Sequence, residues 1–421
     1  MSLQGSMIVV AERPAADLVA ALGAAGAFPI VESSWADAPT AFVAVKPEAI
    51  IIAEGGPAPS EAAARMLCLQ VATLSGPIVP VIAPVHAGHD TPIPIALPVD
   101  AALPPERLVA RLRGALRVRA LHATVLRRMQ AFADKHGKPV SLPVSDPLED
   151  ATVLIVGRGR SYPAMSVAIG ERVGILGALS VETAAQHLNA RDIDGIVVGD
   201  GFSPRMVEAF LTVLVQDPRF RDIPVAVLGA LPPDLASELP NVDEVSGDPA
   251  KIIERILPLV RLHAFDARLK RMLKTLDADG IYDHETGLLT HDAFWNDLGN
   301  VIEDAGFRGN AISVARFAFD GPLDRRASLE GARLVGRLMR SVDFASRDDD
   351  GSIYAVFTQT DLRAAHVIAR RIAGVLKQTT LSPQREQGNM VAHVTLATFK
   401  AGDTLDTLML RVMGSRAVAA E

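Results

Sequence analysis

The chain has 421 residues, 49% of them hydrophobic, with a net charge of -7. That length and apolar content predict two to four domains with buried cores and exclude a disordered chain, while the acidic balance, with no basic cluster, argues against a nucleic-acid footprint. One cysteine, Cys68, excludes a disulfide framework, and no apolar run is long enough to span a bilayer, so a cytoplasmic protein is expected.

Met1 to Ser6 (Met-Ser-Leu-Gln-Gly-Ser) reads as a cloning remnant, which sets the expected native start at Met7. Beyond it, Met7-Ile-Val-Val-Ala-Glu12, Ala49-Ile-Ile-Ile-Ala53 and Ile78-Val-Pro-Val-Ile82 are short apolar runs separated by polar loops and stretches of helical periodicity. Continuous runs of this kind predict strands buried on both faces, as in a parallel sheet covered by helices. The series returns in Ala151-Thr-Val-Leu-Ile-Val-Gly157, Gly195-Ile-Val-Val-Gly199 and Ile223-Pro-Val-Ala-Val-Leu228. Strands alternating with helices over about 120 residues predict a doubly wound α/β domain, present twice.

Each of these units closes in a long helical pattern, Pro105-Glu-Arg-Leu-Val-Ala-Arg-Leu in the first and Pro249-Ala-Lys-Ile-Ile-Glu-Arg-Ile in the second. Proline belongs in the first helical turn, where its missing N–H leaves no bond unmade. The two starts are 144 residues apart, and the same offset pairs Arg111 with Arg255, Arg117 with Arg261 and Arg127 with Arg271. The halves therefore read as a duplication, over 7–133 and 151–276 with a linker at 134–150, and each final helix is expected to outrun its domain.

The two units resemble the receiver domains of response regulators, above all in Gln216-Asp-Pro-Arg-Phe-Arg-Asp-Ile-Pro-Val-Ala-Val-Leu228. The resemblance implies a flavodoxin-like fold and a site with an acidic pair, a phosphoacceptor aspartate, a hydroxyl residue and a lysine. Those positions fall here on Ala11-Glu12, Ala53 (with Glu54 beside it) and Ala83 in the first unit, with no Lys-Pro near Leu97-Pro98. In the second they fall on Gly157-Arg158, Gly199 (with Asp200 beside it), Gly229 and Asp248-Pro249. Both units read as pseudo-receivers. Asp200 and Glu54 are open to two readings, a displaced phosphoacceptor or a loop and helix cap. The receiver resemblance also implies a homodimer.

A third domain is expected over 277–421. Tyr282-Asp-His-Glu-Thr-Gly-Leu-Leu-Thr-His-Asp-Ala-Phe294 resembles the opening of diguanylate cyclase (GGDEF) domains. Strands are predicted at Ala311–Phe319, Ile353–Phe357 and Met390–Ala397, and helices over Leu329–Asp343 and Ala364–Gln378, an order that suits a palm-like α+β domain. The whole chain is thus similar to PleD-type response regulators, receiver–receiver–GGDEF. Catalysis in that family is metal-assisted, but the first metal-ligand position falls here on Arg316, whose cation would repel a metal. The acidic signature positions fall on Gly351, Ser352 or Ile353, Thr290 stands where a guanine-contacting Asn is expected, and the usual C-terminal motif is missing. No catalytic residue, no metal site and no required cofactor are expected.

The family's inhibitory product site is retained. Arg340 and Asp343, expected on one face near the end of a helix, match its Arg-x-x-Asp, and Arg371 within Ala369-Arg370-Arg371-Ile372 matches its second arginine. A guanidinium can bond the O6 and N7 edge of guanine while a carboxylate accepts from N1 and N2. The plain alternative is a surface ion pair worth a few tenths of a kcal/mol. Two residues used at about 5% each would match at fixed positions about once in 400 sequences, which favours the binding reading. The resemblance implies a non-catalytic protein that binds cyclic di-GMP and passes the signal to protein partners, as PopA-type cell-cycle effectors do in recruiting proteolysis at a cell pole. A residual cyclase and a ligand-independent dimeric scaffold are the other two readings.

Overall fold

A computed structural model describes the chain except for residues 1–2, 4, 54–60, 74–75, 86–92, 94, 103, 138–139, 230, 232–237, 246–247, 278–280, 284, 320–324, 379–390 and 415–421. Two compact units result. Unit 1 holds Ser6–His122 and Leu142–Lys270, and unit 2 holds Ala123–Ser141 and Arg271–Glu421 together with a few N-terminal residues.

Unit 1 contains two α/β halves. In the first, β1 (Met7–Val10), α1 (Ala16–Ala24), β2 (Ile30–Ser33), α2 (Ala38–Val45), β3 (Ala49–Ile52), α3 (Glu61–Ala72), β4 (Val81–Val85) and β5 (Leu97–Asp100) lead into α4 (Pro105–His136). In the second, β6 (Thr152–Val156), α5 (Tyr162–Gly170), β7 (Gly174–Ala178), α6 (Val181–Ala190), β8 (Gly195–Val198), α7 (Pro204–Gln216), β9 (Val225–Leu228) and β10 (Val242–Val245) lead into α8 (Pro249–Asp277). Each sheet is parallel, with strand order β2-β1-β3-β4-β5 and β7-β6-β8-β9-β10, the doubly wound order in which the chain reverses beside its first strand. The apolar runs explain it: β1, β3 and β8 are buried at every position, so helices must cover both faces. Helix starts follow local chemistry, since Ser203 accepts from the Met206 N–H ahead of Pro204, and Ser180 accepts from Thr183.

The two halves meet through their last helix and strand. Arg107 and Arg111 on α4 are buried, Arg107 donating to the carbonyls of Leu239 and Val242 and Arg111 pairing with the Asp243 carboxylate at 2.9 Å. From the second half, Arg255 on α8 donates to the Val85 carbonyl at 3.2 Å. The arginines that mark the duplication in sequence thus tie one copy to the other.

Unit 2 is built on an antiparallel sheet. α9 (His291–Arg308), β11 (Ile312–Phe319), α10 (Arg325–Leu338), β12 (Phe344–Arg347), β13 (Ile353–Thr358), α11 (Leu362–Gln378), β14 (Ala392–Thr398) and α12 (Leu405–Met413) form a four-stranded sheet in the order β12-β13-β11-β14. Alternation along β11 divides the core. Ile312 and Val314 meet Phe294 and Leu298 of α9 and Leu408 of α12, whereas Ala315 and Phe317 meet Val335 of α10 and Ile372 of α11. The strand expected at Met390–Ala397 is found as β14; Met390 itself lies outside the described residues. One expectation fails: the helix over Leu329–Asp343 ends at Leu338. The next residues make a turn, closed by the Asp343 N–H on the Arg340 carbonyl at 3.1 Å, because Phe344 must enter the sheet opposite Val356.

Candidate functional site

Two neighbourhoods of unit 2 carry the residues singled out by sequence. The first is the β12–β13 hairpin. Arg347 faces Ile353 across it, leaving Asp348–Ser352 as the loop, with Gly351 at φ 82°, a backbone conformation that favours glycine. Arg316 pairs with Tyr354 in the ladder and reaches into this loop, binding Asp350 at 2.6 Å and Ser352 Oγ at 3.3 Å, with its guanidinium 5.9 Å from the Tyr354 ring centroid. Partial burial opposes ionisation of Asp350, but hydrogen bonds from Ser352 and Arg316 outweigh it and hold this carboxyl below its usual range. A cation therefore sits at the position that the cyclase resemblance assigns to a metal ligand. Among the described residues, no group of three His, Cys, Asp or Glu could hold a metal ion. Thr290, the N-cap residue of α9, donates its hydroxyl to the Ile281 carbonyl at 3.1 Å, so it too is committed to the backbone.

The second neighbourhood is the turn after α10. Arg340 is exposed and Asp343 half-buried. The Asp343 carboxylate accepts from the Thr358 N–H at 3.0 Å, at the last residue of β13, and Thr358 Oγ1 in turn donates to the Val342 carbonyl at 3.2 Å. Burial pushes the Asp343 carboxyl up to about 6, and the Arg340 cation and the Thr358 bonds only partly oppose it. Arg371 stands exposed on α11 and donates to the Leu338 carbonyl at 3.3 Å, the last residue of α10. The fold thus brings Arg371 to the very corner that holds Arg340 and Asp343, from a helix about thirty residues away along the chain. Arg340 and Asp343 share a β-turn instead of the helix face expected of them. Two guanidiniums and a carboxylate form a donor–acceptor set suited to a guanine edge.

The positions that the receiver resemblance singled out in unit 1 are engaged otherwise. Asp200 accepts from Ser161 Oγ and from the Arg160 N–H at 3.0 Å, while its carbonyl accepts from Arg158 and Gly159. The Ser161 bond holds its carboxyl below the usual range, and a Cβ on Gly159 would lie 2.1 Å from the Asp200 side chain. That is the arrangement of a loop-tying carboxylate. Glu54 lies outside the described residues.

A buried pair escaped the sequence reading. Arg128, in the part of α4 that belongs to unit 2, forms an ion pair with Asp297 of α9, both within 2% of full burial, and lies 5.7 Å from the Tyr282 ring and 5.6 Å from that of Phe344. The signal was present: each charge interrupts an apolar stripe, Val125 and Met129 beside Arg128, and Phe294, Leu298 and Val301 beside Asp297.

No family model and no curated protein matches the sequence. Solved structures similar to part of the chain are GGDEF domains of diguanylate cyclases and their relatives. One is the coiled coil and GGDEF domain of DgcB from Caulobacter crescentus in complex with c-di-GMP, at 19% identity over 35% of this chain and 84% of that one, with a TM-score of 0.30. Another is the diguanylate cyclase SiaD of Pseudomonas aeruginosa in complex with its activator SiaC, at 18% identity over 35% and 64%, TM-score 0.30. The FimX GGDEF domain from Pseudomonas aeruginosa matches at 13% identity over 32% and 89%, TM-score 0.29.

Proposed function

We propose that the chain is a non-catalytic cyclic di-GMP-binding effector, a PleD-type receiver–receiver–GGDEF protein whose third domain has lost its enzymatic half and kept its product site. The observation that carries this reading is the corner formed by Arg340, Asp343 and Arg371, in which side chains from two segments present guanine-matching donors and an acceptor at one place. Arg316 supports the loss of catalysis, since its ion pair with Asp350 sets a cation where GTP and metal chemistry would need carboxylates. The ligand is cyclic di-GMP and no cofactor is required. Signal passes to protein partners in a signalling or proteolysis-adaptor complex, with a homodimer through the receiver-like halves as the assembly and the cytoplasm, including a cell pole, as the location. No nucleic acid and no membrane insertion enter; no helix among the described residues is long and apolar enough to cross a membrane.

A second reading has its own observation. Arg371 closes the C-terminus of α10 and Asp343 closes the end of β13, which are structural tasks, so the corner could serve a ligand-independent scaffold. Two assays on the full chain separate these readings from a residual cyclase. Incubation with GTP and Mg²⁺ or Mn²⁺ is expected to yield no cyclic di-GMP, and equilibrium dialysis with labelled cyclic di-GMP is expected to show saturable retention. Product formation would establish the enzyme, and absence of retention the scaffold.

A further inference from the structure

Unit 1 contains a cleft of about 580 Å³ to which the dinucleotide reading assigns nothing. It is bounded by the segment leading into β4, by α4, by the segment joining the two halves and by α8, so it exists only where both copies of the duplication and their connection come together. Its volume falls in the range of small-molecule sites. Five lining residues are prolines, Pro77, Pro80, Pro143, Pro147 and Pro258, the last inside α8. Proline has no N–H and a fixed φ, so these walls are poor in donors and set in shape before anything binds.

Four polar side chains line the cleft, His122, Ser145, Arg261 and Arg268. His122, on α4, is 7% exposed and lines the cleft. Its Nδ1 accepts from the Ile78 N–H at 3.1 Å, which assigns the proton to Nε2. Its ring stands edge-on to Phe265, with centroids 5.0 Å apart. Burial, with help from the Arg119 cation, lowers its pKa to about 4, so the ring is neutral at physiological pH. No hydrogen-bond partner for the Nε2–H occurs among the described residues, and the atom is not sealed in the core but opens to the cleft, where an acceptor can reach it. The two arginines at the cleft are already matched to carboxylates: Arg261 to Asp146 at 3.0 Å and Arg268 to Asp150 at 2.7 Å. An anion would find no free cation there, and a cation no free acid.

We propose that this cleft binds a small, uncharged, largely apolar molecule carrying one hydrogen-bond-accepting oxygen, which receives the His122 Nε2–H. Such a ligand would touch both halves and the segment between them, so its binding is linked to the integrity of unit 1. The proposal rests on unit 1 residues and stands or falls apart from the dinucleotide reading. The probe is 2-nonanone, an uncharged ketone with one acceptor on an apolar chain, titrated into the full chain by calorimetry and by NMR of ¹⁵N-labelled histidine. Saturable binding is expected, with a shift of the His122 Nε2 resonance. Ala72 is exposed on α3 and lines the cleft, so Ala72→Trp should close the mouth and abolish binding without touching His122. His122→Phe should weaken binding about tenfold, the loss of one hydrogen bond. No binding up to the solubility limit of the ketone, undiminished binding by Ala72→Trp, an unmoved His122 resonance, or tighter binding of nonanoate than of 2-nonanone would each overturn the proposal.

Discussion

Asp343 is the residue whose chemistry makes the proposed site measurable. Its carboxyl is raised from 3.8 to about 6, chiefly by burial, so between those values the folded chain binds a proton more readily than the unfolded one. Its contribution to stability is therefore greatest at low pH and falls as pH rises toward 6. Guanine N1–H and N2–H need the ionised form as acceptor, which fixes the sign for binding in the opposite sense. Affinity for cyclic di-GMP should be full above pH 7 and fall by about tenfold per unit below pH 6, with proton release on binding near pH 6. Calorimetry in buffers of different ionisation enthalpy between pH 5 and 8 reads both quantities; a flat profile would remove Asp343 from the site. Arg371, grouped with Arg340 in sequence by resemblance alone, is brought to the same corner across about thirty residues by one bond to the Leu338 carbonyl.

Among the elements, the strands were the most legible, because runs buried on both faces leave one architecture open to them. The C-terminus of α10 was not. Periodicity continues through Arg340, but Asp343 is taken by the Thr358 N–H and Phe344 by the sheet, and such tertiary demands leave no local trace. The burial of Arg128 did leave a trace, a charge within an apolar stripe, but its partner did not, since a pattern that reads as a helix tail of unit 1 supplies core to unit 2. Removing one partner of this pair leaves an uncompensated buried charge. Asp297→Ala should destabilise unit 2 by about 3–5 kcal/mol, whereas Arg128→Met with Asp297→Leu should recover most of the loss. Denaturant titration of both variants checks it, and a double variant as unstable as the single one would contradict it.

At the scale of the molecule, duplication decides what the first 270 residues can do. Of the two carboxylates that the receiver resemblance sets beside an acceptor position, Asp200 is held by Ser161 and Arg160, and Glu54 lies outside the described residues. What the copies retain is their attachment to each other through Arg107, Arg111 and Asp243. Asp243→Ala should lower unit 1 stability by about 3–5 kcal/mol, seen as an earlier thermal transition, and leave cyclic di-GMP affinity unchanged; a coupled loss of affinity would show that the product-site reading misplaces the ligand. The central claim, that Arg340, Asp343 and Arg371 hold the dinucleotide, is tested most directly by titration calorimetry of cyclic di-GMP into the wild-type chain and Arg340→Ala. The account predicts micromolar or tighter binding by the wild type and at least a hundredfold loss in the variant, about 3 kcal/mol for a bidentate charged contact. Equal affinities, or no heat from the wild type at physiological ligand concentrations, would contradict it.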